Sequence, residues 1–382
     1  MFMKHLAKSA VAAVLGWQVR RLYKKNDFKV VAVAGSVGKT TTKLAIAKVL
    51  SRKYRVQYQE GNYNELVSVP LIFFGRSLPS LFNPFSWLLI FVQNELALLK
   101  KYPYDVVVVE IGTDGPGQLD SLGKYLKVEL GVLSAITPEH MQFFDDLDAV
   151  AHEELAITRL SSLTLINKDM VAQKYLPDSN ILTYAIKSTA DYQLAGIKIT
   201  SGKSQFSFVA GSKIIFEANH EITSEPLLYS ILAACAVGQK LGMEAAELKQ
   251  AIGSVKPFAG RMQILSGIKN SKILDDSYNA SPAAVEAALN TLYANPAPQK
   301  IALLGNMNEL GKYTAEAHTA IGQMCDPKKL DLVVTLGPDA NKYLAPAAAA
   351  RGCRVEKFDD PYKAGDFIAG QIKDGALILV KG

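Results

Sequence analysis

The chain has 382 residues, 49% hydrophobic and 20% charged, with a formal charge of +6 from 42 basic and 36 acidic side chains. Such a length holds two or three domains, each able to bury its own core. The positive excess is mild and spread along the chain, so it argues against a nucleic-acid partner and leaves an anionic substrate or an anionic membrane surface. Cys235, Cys325 and Cys353 are odd in number, scattered and without a C-x-x-C pair. They read as buried thiols in a reducing cytoplasm, which excludes a disulfide frame or a zinc site.

The first apolar stretch, Ala10–Trp17, runs into the basic segment Arg20-Arg21-Leu22-Tyr23-Lys24-Lys25; a second covers Phe85–Val92. Both are well short of the roughly 20 apolar residues of a spanning helix. The first also lacks a small-residue cleavage site and leads directly into a nucleotide-binding pattern. Both are expected as helices packed on the protein. Peripheral membrane contact is the alternative, because Trp17, Trp87 and the neighbouring Lys and Arg are interface-type residues. Phe28–Ala34 is a β-branched strand, followed by a glycine loop and a helix over about Thr41–Arg52. Asp105–Ile111, Leu130–Ile136 and Leu163–Asn167 are nearly continuous apolar strands, the pattern of a parallel sheet covered on both faces. Tyr192–Glu221, with Gly202 and Gly211 at turns, predicts antiparallel hairpins, and helices follow at Pro226–Leu241 and Ala245–Ile252.

Lys256-Pro257-Phe258-Ala259-Gly260 reads as a hinge. Beyond it come strands at Met262–Leu265, Lys272–Asp276, Ile301–Gly305, Leu332–Gly337, Val355–Phe358 and Ala376–Val380, with helices at Ala283–Tyr293, Thr314–Met324 and Pro361–Ile372. The expected fold class is α/β. Its parts are an N-terminal apolar and basic helical segment (1–25), a central ATP-binding domain with a mainly parallel sheet (26–255) and a Rossmann-like C-terminal domain (256–382).

Gly35-Ser36-Val37-Gly38-Lys39-Thr40-Thr41 lies between a strand and a helix, the context of a phosphate loop. Glycines let backbone N–H groups approach phosphates, the helix N-terminus favours anions, Lys39 reaches the β/γ-phosphates and Thr40 holds Mg²⁺. The usual first glycine would fall on Val33, so the loop is a shortened variant. Glu110 ends an apolar strand beside the expected crevice, where a carboxylate suits Mg²⁺. Gly112-Thr113-Asp114-Gly115-Pro116-Gly117 after it signals close backbone approach. His140, in Thr137-Pro138-Glu139-His140-Met141, likewise follows a buried strand.

Taken in order, these segments resemble the Mur ligase family, and within it the MurF branch, which adds D-alanyl-D-alanine to UDP-N-acetylmuramoyl-tripeptide. The resemblance spans roughly residues 28–382. It rests on Gly35–Thr42, on Gly61-Asn62-Tyr63-Asn64 with Val69-Pro70, on Glu110-Ile111-Gly112 and on Ile136–His140. It continues through Gly260-Arg261-Met262, Asp275-Asp276-Ser277-Tyr278-Asn279-Ala280 and Leu304-Gly305-Asn306-Met307-Asn308-Glu309-Leu310-Gly311. It implies an ATP-dependent ligase of peptidoglycan synthesis that activates a carboxylate as an acyl phosphate for attack by an amine. Lys39 would stabilise the transferring phosphoryl group, Thr40 and Glu110 would hold Mg²⁺, and His140 a second Mg²⁺. Arg261 would reach the phosphates on domain closure, and Asp276 and Asn279 would hold the nucleotide.

Four departures bear on that expectation. The family's carbamylated lysine falls on Glu154, beside His152 and Glu153; a glutamate carries the needed carboxylate directly. Only about 25 residues precede the loop strand, too few for the family's UDP-binding domain, so the donor's carrier is open. Ser230 stands where an adenine-contacting Asn is usual, Asn306 replaces Asp, and Ser281 replaces Asn. The chain ends at Val380-Lys381-Gly382, where the family continues through a Lys-Gly-Ser motif. The sequence leaves the oligomeric state open. The alternatives on this scaffold are a MurT-like amidating subunit acting on a lipid-linked muropeptide, a folylpolyglutamate-synthase type and a poly-γ-glutamate type.

Overall fold

In the computed structural model the described residues are 2–61, 63–113, 115–200, 203–221 and 224–382. Asn62 and Asp114, both within motifs singled out above, lie outside them, as does Gly202. The first sheet contains β1 (Lys29–Ala34), β2 (Val56–Gln57), β3 (Val106–Glu110), β4 (Val128–Leu133), β5 (Ser161–Asn167), β6 (Ile181–Ala185), β7 (Tyr192–Thr200), β8 (Lys203–Ala210) and β9 (Lys213–His220). Its order is β2-β3-β1-β4-β5-β6-β7-β8-β9. Strands β2 to β7 pair in parallel, and β7, β8 and β9 are antiparallel. The hairpins expected over Tyr192–Glu221 therefore extend the parallel sheet through the bond between β6 and β7.

The helices of this half are α1 (Phe2–Lys25), α2 (Lys39–Leu50), α3 (Ser68–Phe73), α4 (Pro84–Leu98), α5 (Gln118–Leu122), α6 (Leu147–Glu154), α7 (Ala156–Leu160), α8 (Glu225–Lys240) and α9 (Ala245–Ile252). Alternation along β1 feeds two cores. Val31 and Val33 pack with residues of α2, α8 and α9, while Val30, Ala32 and Ala34 pack with residues of α1, α3 and α7. Apolar side chains on both faces are what the unbroken Val-rich runs of β1 and β3 require. Because β1 lies between β3 and β4, the chain leaves it toward opposite sides. Its C-terminal end is thus a topological switch point, where open α/β sheets hold ligands.

The second sheet contains β10 (Gln263–Ser266), β11 (Lys272–Asp276), β12 (Lys300–Gly305), β13 (Leu332–Leu336), β14 (Val355–Phe358) and β15 (Leu377–Lys381), in the order β10-β11-β15-β12-β13-β14. All pairs but β10–β11 are parallel. Helices α10 (Pro282–Ala294), α11 (Thr314–Met324) and α12 (Ala345–Ala350) cover one face and α13 (Pro361–Gln371) the other. The α/β class and the Rossmann-like second sheet match the sequence reading.

Both apolar segments lie in helices packed on the protein: Trp87 of α4 is only 4% exposed and packs among Leu15, Leu71 and Ile90, whereas Trp17 of α1 is 48% exposed. Strand β6 and helix α12 carry too few residues of clear period to be read from sequence alone. The three cysteines are buried, and among the described residues no helix is long and apolar enough to cross a membrane.

Packing in the second half leaves one glycine no freedom. A Cβ on Gly322 of α11 would lie 2.4 Å from the Leu344 carbonyl oxygen and 2.6 Å from Ala347 Cβ. Gly322→Ala is expected to force α11 and α12 apart and lower stability by roughly 1–3 kcal/mol, read as a lower urea midpoint; an unchanged midpoint would contradict this packing.

Candidate active site

The loop after β1 is held by contacts that its sequence alone does not display. Gly35 has φ +124°, and a Cβ there would meet Ser134 Oγ at 2.4 Å and the Ala135 nitrogen at 2.8 Å, so only glycine fits. Ser134 Oγ donates to the carbonyls of Ala34 (3.0 Å) or Val37 (2.6 Å), and Thr137 N–H donates to Ser36 Oγ at 3.0 Å. Gly38, at φ +83°, opens α2, so the first-turn N–H groups of α2 face the cleft with no side-chain cap. An uncapped helix start behind a glycine loop is an anion site.

Charged side chains from four segments surround it. Lys39 Nζ donates to the Ser36 carbonyl at 3.1 Å and lies 3.5 Å from Glu139. Burial opposes its charge, yet Glu139, Glu154 and Glu110 outweigh that and hold its pKa above the ordinary lysine value. Thr40 Oγ1 donates to Glu110 Oε1 at 3.3 Å, and Arg261 Nη2 reaches the same hydroxyl oxygen at 3.3 Å from beyond the hinge. Lys43, fully buried, pairs with Glu110 Oε2 at 3.2 Å and donates to the Gly61 carbonyl at 3.0 Å. Burial pushes the Lys43 pKa down, with Glu110 opposing. Sequence reading missed Lys43; its place one helical turn after Lys39 was the available signal.

Glu154 at the end of α6 turns under the loop, where its Oε2 accepts Gly35 N–H at 2.6 Å. Burial pushes its carboxyl up to about 7; Lys39 opposes that rise and Glu139 adds to it. Its neighbour Glu153 points elsewhere and accepts the N–H groups of Gly117 (2.6 Å) and Leu119 (2.7 Å) at the start of α5. His152 is exposed. Of the three, Glu154 alone belongs to the loop.

The second half closes the far wall. Arg261 stacks on Tyr278 at 4.0 Å. Asp276 accepts the Met262 N–H at 3.1 Å and pairs with Lys381 at 2.8 Å, while Lys381 also donates to the Asn279 carbonyl. Burial pushes Asp276 up and Lys381 down, each opposed by the other's charge. His140, at φ +54°, pairs with Glu309 at 2.5 Å, and Gln142 N–H donates to the Glu309 carbonyl. A cleft of about 560 Å³ is lined by Ser36, Val37, Gly38, Lys39, Thr40, Thr41, Glu110 and His140 on one side and Arg261, Asp276, Asn279 and Lys381 on the other.

Of the residues expected from sequence, all of these line one cleft; Gly35 and Glu154 are bonded to each other and do not line it. Among the described residues, no three acidic, histidine or cysteine side chains gather as a metal cluster. Glu110, His140 and Glu154 thus each keep a separate partner. Ser230 is buried and bonded to Thr42 at 3.1 Å. The Oδ1 of Asn306 caps the backbone at Asp339 and Ala340, and Ser281 stands at the N-cap of α10.

A glycine loop at the switch point of one sheet, facing an arginine and a buried Asp–Lys pair on a second, defines a two-sheet scaffold with a phosphate-suited cleft between the sheets. Family profiles agree: "Mur ligase middle domain" matches residues 87–238 and "Mur ligase, glutamate ligase domain" matches 260–382. The chain belongs to the Mur ligase family. Among its relatives, the UDP-N-acetylmuramoyl-tripeptide–D-alanyl-D-alanine ligase of Bacillus subtilis is 26% identical over 81% of this chain, and that of Borreliella burgdorferi 27% over 94%. The chain spans 63% of the first relative's length and 73% of the second's. The Acinetobacter baumannii MurF structure superposes with TM-score 0.80 at 20% identity, covering 98% of this chain and 77% of its own. MurF from Thermotoga maritima in complex with ADP gives 0.77 at 24%, covering 97% and 80%.

The raised carboxyl of Glu154 sets a pH dependence. The folded chain holds that proton more tightly than the unfolded chain, whose ordinary value is 4.5. The stability this contributes is complete below that value and is lost as pH rises through about 7. In metal-free urea titrations across this window, wild type should lose on the order of 3 kcal/mol relative to Glu154→Gln. Parallel pH profiles for the two proteins would contradict the burial described. Glu153→Ala should instead destabilise by about 1–3 kcal/mol, by stranding two N–H groups.

Proposed function

We propose that the chain is an ATP-dependent carbon–nitrogen ligase of the MurF type, acting in the cytoplasm in peptidoglycan synthesis. It would join D-alanyl-D-alanine, or a similar amine, to a muramoyl-peptide carboxylate. The observation that carries this reading is the convergence of Lys39, the Thr40–Glu110 pair and Arg261 on one cleft between two sheets. It needs a small-molecule donor and acceptor and no nucleic acid. In this reading residues 26–255 bind and activate, 256–382 close over the nucleotide, and 1–25 are a helical buttress.

A donor carboxylate oxygen attacks the γ-phosphorus of ATP and ADP leaves. The amine then attacks the acyl carbon, loses a proton, and the tetrahedral intermediate collapses with release of phosphate. Catalysis is mainly positioning and charge neutralisation. Lys39 would swing from the Ser36 carbonyl onto the transferring phosphoryl group, while the α2 N-terminus and the Gly35–Thr41 backbone cradle the β-phosphate. Arg261, already at Thr40, would meet the phosphates as the halves close, and Asp276 and Asn279 would hold the nucleotide. Thr40 and Glu110 suit Mg²⁺: both donate oxygen, and buried Glu110 Oε2 accepts no hydrogen bond although Lys43 lies beside it. When bound there, Mg²⁺ supplies charge neutralisation on the phosphates. Glu154 and His140 are assigned to a second cation, with Glu154 standing in for a modified lysine. Each would have to release its present partner, Gly35 N–H or Glu309.

A second reading keeps the activating half and changes the donor. The folylpolyglutamate synthase of Mycobacterium tuberculosis shares the fold at TM-score 0.66 and 16% identity, over 99% of this chain and 92% of its own.

Phosphate release from ATP, measured across donors and acceptors, separates the two. Release needing both UDP-N-acetylmuramoyl-tripeptide and D-alanyl-D-alanine is expected. Release only with lipid-linked or folate-type donors favours the second reading, and release with no pair contradicts both. Lys39→Ala should lower turnover by about 10²–10³-fold. Turnover should be indifferent to bicarbonate, and a Glu154→Ala enzyme at full turnover would remove Glu154 from the reaction.

A further inference from the structure

Helix α4 is apolar on two opposite faces. Trp87, Ile90 and Leu98 are buried against the protein, and Asn94 is buried with them, bonded to Gln18 of α1. Phe85, Leu88, Leu89, Val92, Leu96 and Leu99 recur at helical spacing on the opposite side, and all are exposed, Phe85 at 82% and Leu99 at 75%. That outer stripe contains no charge. A helix apolar on two opposite faces has a second face to cover, with protein or with lipid, and an apolar patch this continuous is rare on a surface without a partner.

The neighbouring charge decides which partner fits. Helix α1 runs beside α4, with Gln18 bonded to Phe91 and Glu95, Arg21 paired to Glu95, and Lys25 bonded to the Leu98 carbonyl. Arg21 also lies over the ring of Trp17 at 4.5 Å, which places that exposed indole at the edge of the stripe. Where both helices end, Lys24, Lys25, Lys100 and Lys101 are gathered, and Arg20 bonds the carbonyl of a further lysine, Lys124. Glu95 is taken up by Arg21, and Asp105, which feels the charge of Lys101, by Arg55; Asp27 is a further acidic side chain next to this cluster. An apolar stripe, a border tryptophan and an end with an excess of lysines together match acyl chains, the interfacial layer and anionic headgroups.

We propose that the outer face of α4, with Trp17 of α1 and the lysines at the ends of both helices, docks the protein on an anionic lipid bilayer without crossing it. This surface is separate from the cleft, so the proposal holds or fails independently of the ligase reaction.

The full chain is floated with vesicles of phosphatidylglycerol and phosphatidylcholine, and with vesicles of phosphatidylcholine alone. Binding to the mixed vesicles is expected, falling at least about tenfold on neutral ones or in high salt. Leu89→Gln/Leu96→Gln and Lys100→Gln/Lys101→Gln should each weaken it by a similar factor. Thermal midpoints should be unchanged, because these side chains are exposed. Absence of binding, or binding that neither variant alters, would overturn the proposal. So would sedimentation showing a wild-type dimer that Leu89→Gln/Leu96→Gln converts to monomer, since a second copy would then cover the stripe.

Discussion

The site depends on a contact too close to admit any side chain, the approach of Gly35 to Ser134 and Ala135. It joins the end of β1 to the end of β4 at the switch point of the sheet. Once β1 is fixed there, Ser134 orders the next carbonyls, Ser36 receives Thr137 N–H, and α2 starts with its first N–H groups free to face a ligand. The loop is ordered before any ligand arrives, so little of the binding energy goes into ordering it.

Around that backbone the protein buries more charge than structure alone needs. Lys39 and Lys43 of α2 meet Glu110 at the end of β3, Glu139 after β4 and Glu154 at the end of α6, and Arg261 reaches Thr40 beside them. Removing so many charges from water is costly and is offset only by pairing. Thr40 is bonded to Glu110 Oε1 and Lys43 lies 3.2 Å from Glu110 Oε2, which accepts no hydrogen bond, whereas Lys39 rests on a carbonyl and a long contact to Glu139. The arrangement is fixed where a cation suits it and loose where a phosphoryl group would be transferred, as electrostatic preorganisation requires.

Much of this was legible in the sequence because local signals agreed. The unbroken Val runs of β1 and β3 gave the parallel sheet, Gly35–Thr41 gave the loop, and Glu110 was placed by its position at a strand end. The remainder depended on partners distant in the chain. Lys43 becomes meaningful only beside Glu110, Lys381 beside Asp276, and Glu309 beside His140; no spacing announces these pairs. Trp87 kept two readings in the sequence because its neighbours at helical spacing are apolar on both sides, and sequence does not say which side meets α1. Asn306, a departure from the family pattern, caps the backbone at Ala340 in the fold.

The central claim is that the cleft turns a carboxylate into an acyl phosphate. Its most direct test uses a muramoyl-peptide donor labelled with ¹⁸O in the reacting carboxylate, with ATP and D-alanyl-D-alanine, followed by mass analysis of the released phosphate. The account predicts that one ¹⁸O passes from donor to phosphate in each turnover. Amide formation with unlabelled phosphate would contradict it, because the carboxylate would then have been activated by another route.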